Sequence, residues 1–400
     1  MTDKNNCKHL DICGGCSLTQ NYEEQLALKQ EKVKTELADF WKKDIPITPS
    51  LNTIYHRNKV ELSFCNQVLW KDGKPPKKEE PLEFEKTLGF RQKKRWDRCV
   101  NMEECFIFSP HLAKIKQAIY NWANKENISF YDSRKRVGTL RQLMLREGKN
   151  TDEMMLVIVS TQNIDVPDSL LKELSEIIPN INILCAINDA PSDATPIENV
   201  KVLQGKDNIL EKLVLSDKEI SFRISAKSFF QTNTKTAELL YDKTRKLVKK
   251  IKPKIVYDLY GGAGCFSFVV SDLCEKTFCI ENVSSSIKDG EHNAKINNIT
   301  NVKFLEASVE DYLKLNKIPP QDSLVIVDPP RAGIHPKSCK KIANSGVEKI
   351  IYVSCNPKTL ADNLTDFTKN YKIETIEAFD FFPHTNHVET MVIMNKINNK

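Results

Sequence analysis

The amino-acid sequence predicts an α/β fold whose carboxyl-terminal part, residues 226–400, forms a largely parallel sheet covered by helices. Short β-branched apolar runs alternate there with amphipathic stretches, the order expected of repeated β-α-β units. Three of the runs end at a charged or nucleophilic side chain: Asp258, Asp328 and Cys355. Because open α/β sheets bind ligands beyond the carboxyl ends of their strands, we expect these three residues at one crevice.

The composition is that of a globular chain long enough for two or three domains. The 400 residues are 40% hydrophobic and 28% charged, with a formal net charge of +6. No run approaches the roughly 18 apolar residues of a membrane span, and the first residues lack the apolar core of a signal peptide. We therefore expect a cytoplasmic protein without a membrane partner, and by default a monomer.

Basic residues concentrate in two stretches of the first half. Residues 86–98 (KTLGFRQKKRWDR) interleave Phe90 and Trp96 with six basic side chains, and residues 134–146 hold a second cluster. Cations among aromatic rings suit phosphate neutralisation combined with base stacking. The pattern favours contact with RNA or DNA over a merely solvated face.

Twelve cysteines are many for an intracellular chain, and a reducing compartment favours metal binding or catalysis over disulfides. Three of them cluster near the amino terminus, around two glycines that permit a tight turn: Cys7, Cys13 and Cys16. We predict Cys105 as the fourth ligand of a metal centre, with Cys65 and Cys99 as alternatives. Four thiolates fit zinc and a [4Fe–4S] cluster, and their spacing leaves that choice open.

The rest of the first half divides into a helix and a mixed module. Apolar residues recur at helical spacing within residues 19–43, and alternating runs within 51–225 predict strands of an α+β module. The predicted organisation is therefore an iron–sulfur or zinc segment with a linking helix at 1–50, an α+β RNA-binding module at 51–225 and an α/β domain at 226–400.

The first strand of the α/β domain runs into a glycine-rich turn, Asp258-Leu-Tyr-Gly-Gly-Ala-Gly264. Glycines let the backbone approach a ligand closely, and Glu281 ends the next strand with a carboxylate suited to ribose hydroxyls. The turn departs from the G-x-G-x-x-G spacing of dinucleotide sites. An aspartate at this strand end better suits an adenosyl cofactor with an amino-acid tail, and a dinucleotide is the alternative.

Two further turns complete the predicted crevice. Asp328 is followed by two prolines and then by Arg331, where an enzyme that methylates an exocyclic amine would carry an aromatic residue. Cys355 follows a buried strand and precedes Pro357, which turns the chain away from the sheet. We expect the pKa of this thiol to be lowered, with Arg331 as a cationic neighbour.

A carboxylate also stands at the start of the last predicted strand. Glu389 follows His384 and His387 in the run FPHTNHVE. Such a carboxylate can act as a general base. The two histidines and the glutamate could instead bind a metal. A third interpretation is that they lie at a solvent-exposed strand edge and have no functional role.

As a set, these motifs resemble the RNA 5-methyluridine methyltransferases, S-adenosylmethionine-dependent enzymes that methylate C5 of uracil in tRNA or ribosomal RNA. The shared motifs are SFFQTN at 228–233, DLYGGAG at 258–264, DPPRAG at 328–333, SCNP at 354–357 and FPHTNHVE at 382–389. The resemblance runs from Cys7 to about Met394 and includes YHRNK at 55–59, which is similar to part of the family's RNA-binding module. It implies a Rossmann-like methyltransferase domain.

The resemblance also implies roles for individual residues. Cys355 would be the nucleophile and Glu389 the base that removes the C5 proton, with Phe229 beside the target base. S-adenosylmethionine would be held by Gln231, Tyr260, Glu281 and Asp328, in a pocket shared with Asp258 and Gly262. Members that carry a [4Fe–4S] cluster are matched at Cys7, Cys13, Cys16 and Cys105.

Two departures from the family pattern bear on the substrate and the cofactor. The chain starts almost at the cluster motif, so we expect it to lack the small TRAM barrel of some members, which favours 23S ribosomal RNA over tRNA. Cys265 stands where relatives often have an asparagine that contacts the cofactor. The alternatives to uracil methylation are C5 methylation of cytosine in RNA and RNA binding without catalysis.

Overall fold

A computed structural model describes residues 7–71, 73–190 and 198–397 of the chain. Its helices are α1 (Tyr22–Glu36), α2 (Leu112–Lys125), α3 (Asp168–Ile177), α4 (Thr234–Ile251), α5 (Cys265–Val270), α6 (Ser284–Ile296), α7 (Val309–Leu315), α8 (Pro336–Ala343) and α9 (Pro357–Phe367). Within the described ranges, no helix is long and apolar enough to cross a membrane.

The strands alternate with these helices. They are β1 (Ile47–Thr48), β2 (Lys59–Val68), β3 (Phe84–Gly89), β4 (Leu140–Glu147), β5 (Met154–Ser160), β6 (Ile181–Ile187), β7 (Glu198–Gln204), β8 (Asn208–Val214), β9 (Glu219–Ser225), β10 (Ile255–Leu259), β11 (Lys276–Glu281), β12 (Val302–Glu306), β13 (Ser323–Val327), β14 (Lys349–Ser354), β15 (Tyr371–Phe379) and β16 (Glu389–Lys396).

Contacts between residues divide the chain into two compact units. The first holds the chain up to Thr19 together with Ile54–Glu211 and Ser225–Lys227; the second holds Gln20–Thr53, Lys212–Ile224 and the chain from Ser228 on. This division differs from the predicted boundaries at 50 and 225. Helix α1 joins the second unit because its apolar residues, such as Val33 and Leu37, are buried in the core of that unit and α1 packs against α9.

The second unit contains an eight-stranded sheet with the order β1-β15-β16-β14-β13-β10-β11-β12. Neighbouring strands are parallel, except that β16 runs antiparallel to both β14 and β15. β13 is buried along its whole length, as expected of a parallel strand covered on both faces. The prediction of an α/β carboxyl-terminal domain is confirmed, and the strand order reverses at β10, where such folds open their ligand crevice.

The first unit contains a mixed six-stranded sheet with the order β3-β2-β4-β5-β6-β7. β5 and β6 pair in parallel and the other neighbours pair antiparallel. Helices α2 and α3 pack against each other and bury their apolar faces in the core of this unit. The alternating runs read from the sequence are therefore strands, as predicted for an α+β module.

Two cysteines of the first unit form a disulfide, although the sequence analysis favours metal binding or catalysis over disulfides. Cys65 of β2 is bonded to Cys99, and their Cα atoms lie 6.2 Å apart. After β3 the chain folds back in a hairpin, and an isolated β-bridge between Arg91 and Cys99 brings the second thiol opposite β2. Because they are bonded to each other, Cys65 and Cys99 are not free to replace Cys105 as a metal ligand.

Candidate active site

The carboxyl ends of adjacent parallel strands bring the predicted residues together. β10, β13 and β14 lie side by side and in register. Asp258 is near the end of β10, Asp328 directly follows β13, and Cys355 directly follows β14. Asn356 caps α9 by accepting a hydrogen bond from the N–H of Lys358. The Cys355 thiol therefore lies between the end of β14 and the start of α9.

Strand β16 brings Glu389 to the same place from the opposite direction. Thr390 is paired with Ser354 in the antiparallel ladder, so Glu389 and Cys355 occupy the positions next to this pair. Glu389 is 4% exposed, and burial together with the charge of Asp328 raises its pKa well above the usual range. A thiol and a buried carboxyl group thus lie at the same edge of the sheet.

The Cys355 thiol has a raised pKa, and the prediction of a lowered one is wrong. Burial raises it to about 11, and the carboxyl groups of Glu389 and Asp328 act in the same direction. The Arg331 guanidinium opposes them, as predicted, but does not prevail. Nη2 of Arg331 lies 3.2 Å from Nδ1 of His387, which holds the guanidinium near the thiol.

The glycine-rich turn after β10 is built around a buried carboxyl group. One oxygen of Asp258 accepts hydrogen bonds from the N–H and hydroxyl of Ser267, at 3.0 and 2.7 Å, and the other is buried without a hydrogen-bond partner among the described residues. Burial raises the pKa of Asp258 to about 6. Tyr260 and Gly262 have left-handed φ angles of 63° and 56°, so the chain turns sharply at the strand end.

Glu281 and Asp328 flank this turn. The Glu281 carboxylate accepts hydrogen bonds from the N–H groups of Gly262 at 3.0 Å and of Val283 at 2.8 Å, which fixes it beside the glycine turn. Nε2 of Gln231 donates to Asp328 at 3.5 Å, a long contact. Burial and the neighbouring Asp258 raise the pKa of Asp328 to about 7.

Cys265 lies at the same crevice. It is the first residue of α5, and its thiol is hydrogen bonded to the Tyr241 hydroxyl and lies close to Asp258 and Asp328. Burial raises the pKa of Cys265 to about 12. The side chain is thus placed where it can touch a ligand of the crevice as a small neutral group.

Phe229 is presented to solvent by a fixed loop. Its side chain is 63% exposed, whereas the next residue, Phe230, is buried against Phe222. The Ser228 hydroxyl is hydrogen bonded to Asp289. An exposed ring between two anchored residues is a platform on which a planar ligand can stack.

The histidines near Glu389 do not form a metal site. Both ring nitrogens of His384 are engaged, Nδ1 at 3.3 Å from Nε2 of Gln25 and Nε2 at 2.9 Å from the carbonyl oxygen of Thr53. Within residues 7–71, 73–190 and 198–397, no three or more His, Cys, Asp or Glu side chains are arranged to hold a metal ion.

The four cysteines predicted as cluster ligands nevertheless line one small cavity in the first unit. These residues are Cys7, Cys13, Cys16 and Cys105. The remaining wall is largely apolar and includes Phe90, Met102 and Ile107. The turn that carries Cys13 is held by the N–H of Gly14, which donates to the carbonyl oxygen of Arg91 at 2.9 Å.

Sequence reasoning missed polar residues that build the crevice without an acidic or nucleophilic group. Asn233, the last residue of SFFQTN, caps α4 and donates a hydrogen bond to the carbonyl oxygen of Phe381 at 3.0 Å. Ser267 holds Asp258. Asn233 could have been found, because an asparagine directly before a predicted helix is a typical cap. Ser267 carries no such signal.

Comparison with known proteins shows which family the chain resembles. A family model described as tRNA (uracil-5-)-methyltransferase matches residues 195–397. An uncharacterised RNA methyltransferase of Caldanaerobacter subterraneus subsp. tengcongensis is 33% identical over 399 residues, which cover 98% of this chain and 84% of that protein. The tRNA (uracil(54)-C(5))-methyltransferase of Pyrococcus furiosus is 33% identical over 385 residues, which cover 96% and 83%.

A solved structure extends the similarity to three dimensions. The crystal structure of Pyrococcus abyssi tRNA (uracil-54, C5)-methyltransferase in complex with S-adenosyl-L-homocysteine matches with a TM-score of 0.75 and 30% identity, over 96% of this chain and 86% of that one. The family model covers half of the chain and the relatives nearly all of it. The chain therefore belongs to the tRNA (uracil-5-)-methyltransferase family of enzymes.

Proposed function

We propose that this protein transfers a methyl group from S-adenosylmethionine to C5 of a specific uridine in RNA, through a covalent adduct between Cys355 and C6 of the uracil. The observation that carries the proposal is the placement of Cys355 and Glu389 beside each other across strands β14 and β16. In a chain of this family, a thiol next to a buried carboxyl supplies the nucleophile and the base that the reaction needs.

The covalent route solves the low reactivity of uracil C5. Sγ of Cys355 bonds to C6, and the electron pair of the C5–C6 double bond moves toward O4, which makes C5 nucleophilic. The electrophilic methyl group would come from S-adenosylmethionine, whose S–CH3 bond breaks as the C5–CH3 bond forms, with the electron pair left on the departing sulfur. The Glu389 carboxylate then removes the C5 proton, and the electron pair of that C–H bond restores the double bond and expels the thiolate.

The raised pKa values of the crevice fit a cationic ligand. Asp328, Glu389 and Cys355 disfavour their charged forms because they are buried and repel one another. A positive charge bound among them favours the ionised form of each. The sulfonium group of the proposed cofactor carries such a charge, so cofactor binding would prepare both the nucleophile and the base.

The glycine turn and its carboxylates suit the rest of that cofactor. The unpartnered oxygen of Asp258 is one buried acceptor, and no atom lies within 4 Å of the place where a Cβ on Gly262 would be. We assign Glu281 to the ribose hydroxyls, because its carboxylate ends β11, the second strand of the fold. Gln231 and Tyr260 complete the proposed set, and Phe229 would stack on the target base.

A basic hairpin of the first unit, Arg91–Cys99, is the proposed RNA contact. The Arg95 and Arg98 guanidinium groups lie over the Trp70 ring, 5.0 and 4.3 Å from its centroid, while Trp96 is 66% exposed. An exposed tryptophan ring on a basic hairpin matches the stacking and phosphate contacts of single-stranded RNA. The disulfide at Cys99 and the bridge between Gln92 and Cys13 hold the hairpin at both of its ends.

The substrate RNA is either 23S ribosomal RNA or tRNA. The Pyrococcus relatives act, by their names, on uracil-54 of tRNA, which makes tRNA one of the two substrates to be tested. Both RNAs contain loops from which a uridine can be flipped into a pocket.

We further propose that the cavity lined by Cys7, Cys13, Cys16 and Cys105 holds a [4Fe–4S] cluster. Four thiols converge on one largely apolar cavity, and thiolates are the ligands of such clusters. Zinc is the alternative. Anaerobically purified protein should contain about four irons and four sulfides per chain, with broad visible absorbance; one zinc and no sulfide would overturn the assignment.

The function is tested by incubating cluster-intact protein with S-adenosylmethionine and unmodified transcripts of tRNA or 23S ribosomal RNA. Nuclease digestion and mass spectrometry should find one methyl group added to a uridine in one of these RNAs, and they name the RNA at the same time. Methylation of cytosine, or of no base while the cofactor binds, would overturn the proposal.

The covalent step is tested with Glu389→Gln. This variant should form the adduct and methylate C5 but fail to release the RNA, because no carboxylate removes the proton. The adduct should appear as a protein–RNA band that resists denaturant. Glu374→Gln, which alters a glutamate of the neighbouring strand β15 that pairs with Lys349, is the matched control and should accumulate none.

A further inference from the structure

Helix α1 buries two polar side chains on the face that packs into its unit. Gln25, Lys29, Val33 and Leu37 recur every four residues, and all four are buried. Lys29 is 1% exposed, which is unusual for an ammonium group because its desolvation costs several kcal/mol unless it is paired. The helix must therefore meet a polar partner on this face.

That partner is the β15–β16 loop, residues 380–388, which ends at Glu389. Nζ of Lys29 donates to Oδ1 of Asp380 at 2.5 Å and to the carbonyl oxygen of Phe382 at 2.8 Å. Asp380 is fully buried. Because both charges of the pair are shielded from water, the contact fixes the start of the loop.

Gln25 fixes the middle of the same loop. Its Oε1 accepts the backbone N–H of His384 at 2.8 Å, and its Nε2 lies 3.3 Å from Nδ1 of that ring. Nε2 of His384 must carry a proton, because it faces the carbonyl oxygen of Thr53 at 2.9 Å. Nδ1 is then the acceptor for Gln25. The backbone of His384 has a φ of 67°, a conformation that a non-glycine residue keeps only where contacts hold it.

The helix is also connected to the nucleophile. α1 packs against α9, which begins two residues after Cys355. One helix thus contacts both the element that follows the thiol and the loop that precedes the carboxyl group. From the other side, Asn233 holds the carbonyl oxygen of Phe381, so the loop is clamped along its first half.

We infer that Gln25 and Lys29 are positioning residues for removal of the C5 proton: by fixing the β15–β16 loop they set the orientation of Glu389 toward the adduct on Cys355. The inference rests on the proposed function. A displacement of the loop moves the first residue of β16, and a shift of about 1 Å is enough to slow a positioned group by roughly a hundredfold. Formation of the adduct does not use Glu389 and should be spared.

Gln25→Met tests this, since methionine keeps the volume of the side chain and removes both contacts with His384. Gln30→Met is the matched control: it removes a glutamine on the same helix whose Nε2 donates to the carbonyl oxygen of Ile45, away from the loop. For the methylated uridine substrate found with the wild type, we would measure kcat, the KM values for RNA and cofactor, the thermal midpoint and the denaturant-resistant adduct.

Gln25→Met should lower kcat roughly ten- to a hundredfold with unchanged KM values and should accumulate methylated adduct as Glu389→Gln does. Gln30→Met should do neither. Turnover by Gln25→Met without adduct, or equal losses in both variants that follow the thermal midpoint, would overturn the inference. Methylation by the wild type and adduct in Glu389→Gln establish the proposed function independently of this result.

Lys29 is tested by a double replacement. Lys29→Met alone leaves the Asp380 charge buried and unpaired, which can unfold the chain. Lys29→Met combined with Asp380→Asn removes both charges and keeps the packing. The double variant should fold and accumulate methylated adduct; a folded double variant with wild-type kcat and no adduct would show that Lys29 does not position the loop.

Discussion

The crevice of the second unit and the basic hairpin of the first unit hold their carboxyl groups in opposite ways. In the crevice of the second unit, burial raises the pKa of Asp258 to about 6 and that of Asp328 to about 7. In the first unit, Asp97 accepts hydrogen bonds at 2.8 Å from both Arg95 and Arg134, and these guanidinium groups hold its pKa well below the usual range.

The contrast shows where the fold tolerates a destabilising arrangement. A carboxyl group that is buried without a cation lowers the stability of the protein, and one that is paired does not. In the first unit, the Asp97 carboxylate of the basic hairpin is paired with the guanidinium groups of Arg95 and Arg134. Among the described residues, no salt bridge is formed by Asp258 or Asp328 of the crevice, and a positively charged ligand would lower the pKa of both.

The largest effect should come from Cys355→Ala, which acts on the crevice alone. Methyl transfer should fall more than about a thousandfold, because the adduct cannot form, while binding of cofactor and RNA stays within about twofold of the wild type. Cys185→Ala, at a half-buried cysteine of β6, is the control. Methylated product from Cys355→Ala, read by mass spectrometry, would rule out the nucleophile.

An intermediate effect, confined to the first unit, is expected for Trp96→Ala. Loss of one stacking platform should raise the Kd for RNA about 5- to 150-fold, with kcat at saturating RNA and cofactor affinity unchanged. Leu315→Ala removes a large exposed apolar side chain from the second unit and is the control. Unchanged RNA binding by Trp96→Ala in a filter assay would remove the hairpin from the RNA interface.

The smallest effects, a few degrees in thermal midpoint, test the carboxyl contrast itself. In cofactor-free protein, Asp328→Asn should raise the midpoint, and the gain should grow from pH 5 to pH 8. The folded-state pKa of Asp328 lies above the unfolded value of about 4, so its contribution to stability falls as pH rises. About 2–4 °C is expected for each kcal/mol.

Asp97→Asn should do the reverse. Its folded-state pKa is lowered, so the ion pairs stabilise the protein above the unfolded pKa of about 4 and are lost as pH falls below it. The variant should therefore melt lower by a similar amount at pH 5 and at pH 8. Shifts of the same sign and pH dependence in both variants would contradict the contrast between the two units.

The sheet edge of the candidate site could be predicted from the sequence, because its residues follow a local sequence pattern. Asp258, Asp328 and Cys355 each mark the end of a short apolar strand, and parallel strands carry such ends to one edge. The structure brings all three together with Glu389, as expected. Their roles come from the family resemblance and remain proposals.

The features that were predicted wrongly or missed depend on contacts between residues that are distant in the chain. The lowered pKa predicted for Cys355 considered Arg331 alone, whereas burial and two carboxyl groups from other strands decide the direction. To predict the Cys65–Cys99 disulfide, one would need to know that the chain forms a hairpin after β3. In α1, the spacing of apolar residues predicts that Val33 is buried but does not predict that Lys29 is. A lysine is buried only where it is paired, and its partner cannot be identified from local sequence.

The position of β16 has a consequence for the order in which the enzyme folds during its synthesis. This last strand is inserted between β14 and β15, and its loop is clamped by Lys29, which lies 351 residues upstream of Asp380. During synthesis α1 leaves the ribosome long before the loop that contains Asp380, so the contact between Lys29 and Asp380 forms late. Glu389 therefore comes to lie beside Cys355 only after β16 has been synthesised and has paired with β14 and β15.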